Sequence, residues 1–212
     1  MKKIIAIIGF LFSLQAFSQN DPNAKKILDE VSNKVKTYKT VQANYTLSVA
    51  SKAGKSMGSK AGVISWKGEK YNMTDKSMQI VCDGQKVWKY EPDANEVTVG
   101  AVDNSAETLT PQKLFTNFYD KDFTCKLNGK KTINGKSLTE IELTPVGKNK
   151  SVAKIYIYID EAQKMMVAAK SLDNSGNMST YTISNFKSNI PLADNLFTFD
   201  KSKHPGVEQI DQ

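Results

Sequence analysis

The stretch VCDGQKVWKYEPDANEVTV, residues 81–99, decides the fold class because two turns divide it into alternating segments. Asp83-Gly84 is a tight hairpin signal, and residues 92–95 are types that tolerate the backbone angles of a turn. Between the two turns Trp88 and Tyr90 share one face, since side chains along a strand alternate with a period of two. The stretch therefore predicts parts of three strands joined by short hairpins.

The same alternation extends in both directions from this stretch. From Val41 to Val49 every second residue is apolar, which predicts a long, half-buried strand. Similar runs follow at residues 57–67, 69–74, 78–82, 86–91, 96–99, 122–127, 137–143, 152–159, 165–172 and 178–186. Turns rich in glycine and asparagine, among them Asn128-Gly129 and Asn134-Gly135, separate the runs as in sequential hairpins. We therefore expect about eleven antiparallel strands.

Two segments interrupt the alternation and are predicted as helices. Asp21-Pro22 supplies an N-cap acceptor and a first-turn proline ahead of an apolar stripe at helical spacing. Thr110-Pro111 opens the second helix, in which Leu114, Phe115 and Phe118 line one side. Because strand twist accumulates, a sheet of about eleven strands curls strongly. The fold class is therefore mainly β with helices (α+β), a strongly curved antiparallel sheet whose concave side the helices cover.

The N-terminus has the pattern of a secretory signal. A basic start, an apolar run over residues 4–14 and small residues before Gln19 predict cleavage after residue 18. The apolar run is too short for a permanent membrane anchor. Residues 19–212 are expected to form a single domain in the periplasm or outside the cell.

The charge pattern argues against a nucleic-acid partner. The formal net charge is +7 and falls to +5 when Lys2 and Lys3 leave with the signal. All 29 basic residues are lysine, whereas base readers and phosphate clamps favour the planar guanidinium of arginine. Scattered lysines are typical of a solvated surface and are compatible with a weak attraction to anionic lipid headgroups.

Few side chains suit catalysis or metal binding. His204 is the only histidine and lies in the C-terminal tail, and no cluster has the spacing of metal ligands. We therefore expect no enzyme activity, no metal and no cofactor. Cys82 and Cys125 would be in an oxidising compartment, where they could form a disulfide or remain two separate buried thiols.

Several stretches together resemble one family. They are residues 62–68, 70–73, the Asp-Gly-x-x-x-Trp-x-Tyr-x-Pro block at 83–92, 196–199 and 205–207. In order and spacing they resemble the LolA family of periplasmic lipoprotein carriers of Gram-negative bacteria, over nearly all of the mature chain. The resemblance implies an unclosed half-barrel with a helical lid, whose cavity shields the acyl chains of a lipoprotein between the inner and outer membranes.

The resemblance also implies partners and a site. The cargo would be acylated lipoproteins, released by an inner-membrane transporter to a monomeric carrier and passed to the outer membrane with or without a receptor. The expected wall of the acyl cavity consists of Tyr45, Leu47, Tyr71, Met73, Trp88 and Tyr90. The expected lid consists of Ile27, Leu28, Val31, Leu114, Phe115 and Phe118. Lys67 takes the position of a family arginine that latches the lid, although an ammonium cannot form the paired hydrogen bonds of a guanidinium.

Other functions remain open from the residues alone. The same aromatic and aliphatic side chains would fill the closed core of a secreted β-module that binds proteins through its sheet edges. A periplasmic sensor of mislocalised lipoprotein or lipid, which regulates an envelope-stress response, has a similar half-barrel. A related carrier could also serve another apolar cargo.

Overall fold

One twelve-stranded sheet forms the body of the protein in the computed structural model, which describes residues 20–102, 116, 119–147 and 152–212. Helix α1 spans Pro22–Lys36, and the short α2 spans Tyr119–Asp122. The strands are β1 Thr40–Ala50, β2 Ser56–Lys67, β3 Lys70–Asp75, β4 Gln79–Cys82, β5 Lys86–Glu91, β6 Glu96–Ala101, β7 Phe123–Ile133, β8 Lys136–Pro145, β9 Val152–Asp160, β10 Met165–Asp173, β11 Met178–Ser188 and β12 Glu208–Asp211. Two 3-10 helices, Asp194–Phe197 and Lys201–Lys203, lie in the C-terminal segment, residues 190–212.

The sheet is an open half-barrel. Its strand order is β12-β6-β5-β4-β3-β2-β1-β11-β10-β9-β8-β7, so β12 and β7 are its two edges. All neighbouring pairs are antiparallel except β12 with β6. The predicted fold class, mainly β in a curved and unclosed sheet, is confirmed.

Helix α1 forms where the capping pattern predicts it. The Asp21 carboxylate accepts hydrogen bonds from the backbone N–H groups of Asn23 at 2.9 Å and Ala24 at 3.3 Å, and Pro22 occupies the first position. The apolar stripe of the helix packs against the sheet through its buried members, Ala24, Leu28, Val31 and Val35. Packing of this stripe supplies most of the stability of a helix of this length.

The eleven predicted runs correspond to β1–β11, with two differences. The strand β7 continues to Ile133 because Asn128 is the extra residue of a β-bulge, so Asn128-Gly129 is not the predicted turn. The reversal occurs at Asn134-Gly135 instead. The twelfth strand, β12, is a second difference, because its four residues are all exposed and show no alternation from which a strand could be predicted.

The two faces of the sheet carry separate apolar clusters. On the face that contacts α1, here called the helix face, the core includes Val41, Ile64, Trp66, Ile141 and Ile157. The opposite face carries one cluster on β5 and β6 under the C-terminal segment and another on β8–β10. The sheet is therefore buried on both sides over part of its width.

Candidate functional site

Four of the six expected wall residues lie on the helix face. Met73 and Tyr71 stand opposite Ile64 and Trp66 of β2, both buried members of the helix-face cluster. Directly opposite residues of neighbouring strands share a face. Tyr45 belongs to the same buried cluster. Leu47 follows Tyr45 at a spacing of two and is half-buried on the same face.

Trp88 and Tyr90 lie on the other side of the sheet. Tyr71 pairs with Cys82 of β4, and Cys82 pairs with Val87 of β5, so Val87 is the residue of β5 that shares a face with Tyr71. Trp88, one position further along the strand, therefore points to the opposite face, and Tyr90 points the same way. The prediction that these two aromatic residues line the cavity together with Tyr71 is wrong.

The C-terminal segment covers these two aromatic side chains. Trp88 and Tyr90 belong to a cluster with residues of β6 and of the C-terminal segment, namely Val97, Val99, Phe199 and Val207. The Tyr90 ring centroid lies 5.5 Å from that of Phe199 and 4.2 Å from that of His204. The block at residues 83–92 thus anchors the tail rather than a ligand on the helix face.

The expected lid residues of α1 contact the helix face. Leu28 and Val31 are buried members of its core, and Ile27 packs against its margin half-buried. The other expected lid residues, Leu114, Phe115 and Phe118, lie outside the described residues. Whether α1 moves as a lid stays a prediction.

Both ends of α1 are tied to the sheet. At its start the backbone N–H of Asp21 donates to the carbonyl of Cys125 at 2.9 Å, and the N–H of Leu127 donates to the Asp21 carboxylate at 3.2 Å. These bonds cover part of the free edge of β7. Toward its end Lys34 donates to the carbonyl of Gln163 at 2.6 Å in the β9–β10 turn. Any opening of α1 must therefore break contacts at β7 or at this turn.

Lys67 binds the C-terminal segment rather than α1. It pairs with Lys70 at the end of the β2–β3 hairpin, on the face opposite Trp66 and Tyr71. The ammonium groups of Lys67 and Lys70 both lie 3.2 Å from the Asp194 carboxylate, which belongs to the C-terminal segment. These hydrogen bonds lower the pKa of Asp194. The predicted role of Lys67 as a lid latch is therefore corrected, because its partner is the tail.

The two cysteines are free and buried. Cys82 lies on β4 and Cys125 on β7, with seven strands between them in the sheet order. Burial raises the pKa of both thiols. The sequence left open a disulfide or two separate buried thiols, and the structure has two separate buried thiols.

An apolar surface on the helix face remains partly open to solvent. Its members, here called the open strip, are Leu47, Val49, Ile155, Tyr181 and Ile183. Cross-strand register places Leu47, Tyr181 and Ile183 together, since Leu47 faces Tyr181 and Tyr45 faces Ile183. Ile155 and Val49 lie in one row of the sheet, with Ser171 and Ser179 between them. The strip extends toward the hairpin end of the sheet, which carries the β1–β2, β3–β4 and β10–β11 turns. Ile155, Tyr181 and Ile183 were not among the expected wall residues, although the alternation along β9 and β11 could have identified them.

Two tyrosines of the helix face have raised phenol pKa values, Tyr45 at the margin of the open strip and Tyr71 further along the face on β3. The Tyr45 hydroxyl donates to the Asp75 carboxylate at 2.9 Å. Burial, followed by the hydrogen bond and charge of Asp75, raises the pKa of Tyr45. Burial also raises the pKa of Tyr71 to about 12. Both phenols are uncharged at physiological pH, as an ordinary tyrosine is, and the charge at this margin of the open strip is that of the Asp75 carboxylate.

A separate small cleft lies between α1 and the β9–β10 turn. Its volume is about 230 Å³, below the 300–1,000 Å³ that is usual for small-molecule pockets. Ile27, Val31 and Ile159 form its apolar part, whereas Lys26, Glu30, Glu161 and Lys164 form a charged rim. The cleft is thus chemically distinct from the open strip.

The described part of the chain holds neither a metal cluster nor a membrane-spanning helix. Among residues 20–102, 116, 119–147 and 152–212, no group of three or more His, Cys, Asp or Glu side chains is placed to hold a metal ion. Within those same ranges no helix has the length and hydropathy needed to cross a bilayer.

Comparison with known families identifies the chain. The profile of the family described as outer membrane lipoprotein carrier protein LolA matches residues 36–200. The chain belongs to this family. The match runs from the last residue of α1 into the C-terminal segment, so it contains β1–β11 and the whole open strip. The family resemblance inferred from the sequence is confirmed.

Individual relatives agree with this assignment. An outer-membrane lipoprotein carrier protein of Legionella pneumophila (strain Corby) is 26% identical over 219 residues, which covers 100% of both chains. One of Pasteurella multocida (strain Pm70) is 27% identical over 187 residues, 86% of each chain. The crystal structure of an uncharacterized conserved protein from Thermus thermophilus superposes with a TM-score of 0.60 at 12% identity, covering 90% of this chain and 99% of that one. At that identity the structural likeness shows the fold alone.

Proposed function

We propose that this protein is a periplasmic carrier that holds the acyl chains of lipoproteins against the open strip and moves them from the inner to the outer membrane. The observation that carries the proposal is the open strip itself, a half-exposed apolar surface on the helix face of the unclosed sheet in a LolA-family chain. Exposed apolar surface of this kind marks sites for apolar ligands or partners.

The free energy of moving an acyl chain out of water favours a site that shields the chain partly over one that encloses it fully. An acyl chain of about 15 methylenes gains on the order of 12 kcal/mol when it leaves water, at about 0.8 kcal/mol per CH₂. A site that buried every chain completely would compete with the membrane that must receive it. A strip that is only partly covered holds the chain more weakly, and weaker holding permits delivery.

The rest of the proposed cycle extends the pattern of the N-terminus and the family assignment. Residues 1–18 direct export and are removed, and residues 19–212 act as one domain. An inner-membrane transporter releases the lipoprotein to the carrier, and the outer membrane or a receptor in it accepts the cargo. Each step is non-covalent binding or release, without enzyme chemistry.

The decisive experiment measures acyl binding by two matched variants of the mature chain. Tyr181 and Val63 are each 41% exposed, but Tyr181 lies in the open strip, whereas Val63 stands opposite Asn44 and Thr74 on the other face. Tyr181→Asp should weaken the binding of a fluorescent fatty acid at least tenfold, because a charge replaces apolar contact area. Val63→Asp should leave the affinity within twofold of the unchanged protein.

Two outcomes would contradict the proposal. The first is equal affinity for the fatty acid in both variants, which would move the ligand away from the open strip. The second is normal lipoprotein sorting in cells that lack the protein, because the proposal predicts that depletion leaves outer-membrane lipoproteins in the inner membrane. Normal sorting after depletion, together with an altered envelope-stress response, would favour the sensor instead.

A further inference from the structure

The β1–β2 hairpin projects beyond its neighbour β3. Residues 56–61 of β2 pair with β1, whereas pairing with β3 begins only at Gly62. Residues 52–61 are all exposed. Six strand residues correspond to about 20 Å, so the hairpin stands out from the β3 side of the sheet by roughly that length.

The charged residues of the projecting hairpin are all basic. It carries Lys52, Lys55 and Lys60, and no acidic residue occurs between Thr40 and Gly68. The Lys60 ammonium donates to the Ser77 hydroxyl at 2.8 Å, and the stem of Lys52 lies against Gly176 in the β10–β11 turn. These contacts hold two of the three positive charges along the rim of the hairpin end.

Carboxylates on the adjoining turns are engaged within those turns. Asp75 accepts hydrogen bonds from the Tyr45 hydroxyl and from the backbone and hydroxyl of Ser77. Asp173 accepts from the backbone of Ser175 and from the backbone and side chain of Asn177. The positive charge of Lys60 also contributes to the lowered pKa of Asp75, so this carboxylate offsets one of the three hairpin charges and the hairpin end keeps a net positive charge.

A large apolar side chain is displayed among these lysines. Met57 is 61% exposed, and it is the extra residue of a β-bulge, since Val49 pairs with Gly58 but Ala50 pairs with Ser56. Bulges at a sheet edge redirect a side chain and end the regular pairing. The bulge thus places one flexible thioether between flanking ammonium groups.

We propose that the β1–β2 hairpin, residues 51–61, docks the protein on an anionic lipid bilayer, with the three lysines at the headgroups and Met57 at the headgroup–acyl boundary. The lysines match the negative potential of such a surface. A protein partner fits less well, because interfaces between proteins are enriched in aromatic residues and arginine and depleted in lysine. This docking would turn the hairpin end, and with it the open strip, toward the membrane. That purpose rests on the proposed function, although docking itself requires no cargo.

Vesicle sedimentation with the mature protein tests the docking. The probes are vesicles of phosphatidylcholine and of an equimolar mixture of phosphatidylcholine and phosphatidylglycerol, at low salt and at about 1 M salt. Binding should require the anionic lipid and should vanish at high salt, where the Debye length is about 3 Å. A triple variant, Lys52→Gln, Lys55→Gln and Lys60→Gln, should bind on the order of a hundredfold more weakly, since each lysine contributes roughly fivefold.

A second triple variant separates the hairpin from net charge. Lys86, Lys131 and Lys136 are exposed and lie toward the opposite end of the sheet, so their replacement by glutamine removes the same charge elsewhere. That variant should retain most of the binding. Equal loss in both triple variants, or no binding by the unchanged protein, overturns the proposal. So does a hairpin variant that aggregates but still binds vesicles, because the lysines would then only protect an unpaired sheet edge.

A labelled position tests insertion and the alternative partner. An environment-sensitive dye on Met57→Cys should shift to the blue on anionic vesicles, whereas the same dye on Ala162→Cys in the exposed β9–β10 turn, at the opposite end of the sheet, should not. In cells, crosslinking from Met57→Cys to an acidic protein, without a blue shift on vesicles, would overturn membrane docking in favour of a protein partner. Fatty-acid binding in solution is measured separately, so failure of docking and failure of the carrier function are distinguishable.

Discussion

The ring of Tyr45 lies directly over Gly62 on the neighbouring strand. A Cβ atom at Gly62 would come within 2.8 Å of the Tyr45 ring and hydroxyl and within 2.2 Å of the Thr74 carbonyl oxygen. The close approach lets Tyr45 reach the Asp75 carboxylate across β2. Gly62 is thus required by space, and Tyr45 is held at the margin of the open strip.

Replacement of Gly62 should therefore destabilise the fold. Gly62→Ala forces a shift of backbone or ring and should lower the free energy of unfolding by about 1–3 kcal/mol. Gly100→Ala on β6 is the matched control, because a Cβ there meets no atom within 4 Å. It should change stability by less than about 0.5 kcal/mol. Urea unfolding of both variants measures the difference, and equal values would show that Gly62 tolerates a side chain.

The two tryptophans should respond differently to a bound acyl chain. Trp66 is a buried member of the helix-face cluster, whereas Trp88 packs under the C-terminal segment on the opposite face. A fatty acid brominated along its chain should quench the fluorescence of Trp88→Phe, which retains Trp66. It should not quench Trp66→Phe, which retains Trp88. The reverse pattern would place the ligand on the opposite face of the sheet.

Acid should loosen the attachment of α1. A hydrogen bond from the backbone N–H of Leu127, and then one from Ala24, hold the pKa of Asp21 below its ordinary value of 3.8. A carboxylate whose pKa is lowered by folding stabilises the folded state at any pH above its ordinary pKa. This stabilisation is lost as the pH falls through the lowered pKa of the folded state.

The variant that tests this pH dependence is Asp21→Ala. It should lower the melting temperature by a few degrees at neutral pH, because the helix loses its N-cap and its contact with β7. The difference from the unchanged protein should shrink below pH 3.8, the ordinary pKa of this carboxyl. Asp93→Ala, in the exposed β5–β6 turn, serves as the control and should have little effect. A difference that stays constant with pH would exclude a role for the carboxylate charge.

Lys67 should matter to the tail and not to the cargo. Lys67→Gln removes one of the two ammonium groups that contact Asp194. We expect unchanged affinity for a fatty acid and a small loss of stability, because exposed ion pairs contribute little. Asp194→Asn should behave in the same way, since it removes the shared partner. A change in the rate of ligand release by Lys67→Gln alone would restore the lid-latch role.

Local signals predicted most of the secondary structure. The N-cap at Asp21 placed the start of α1, and the alternation of apolar residues placed β1–β11. Each signal acts within a few residues, through capping hydrogen bonds or the period of a strand. Asn128 shows the limit of this reasoning, because a bulge and a turn use the same residue types, and pairing with β8 selected the bulge.

The site was predicted less completely, and the reason lies in β4 and β5. A period of two assigns Trp88 and Tyr90 to one face of β5, but it does not relate that face to the face of Tyr71 on β3. That relation depends on the register of every intervening strand pair. Since apolar residues occur on both faces of this region, either assignment was compatible with the pattern.

By itself the sequence determined the class of fold, the order of the strands along the chain and the family, because these follow from local periodicity, turn residues and motif spacing. Only the tertiary structure decided which face each strand presents to α1, that the tail covers Trp88 and Tyr90, and that Lys67 binds Asp194. The face of each strand depends on the register of neighbouring strands, whereas the two tail contacts join residues more than one hundred positions apart, such as Lys67 and Asp194. Such contacts form through register and packing, which no short stretch of sequence encodes.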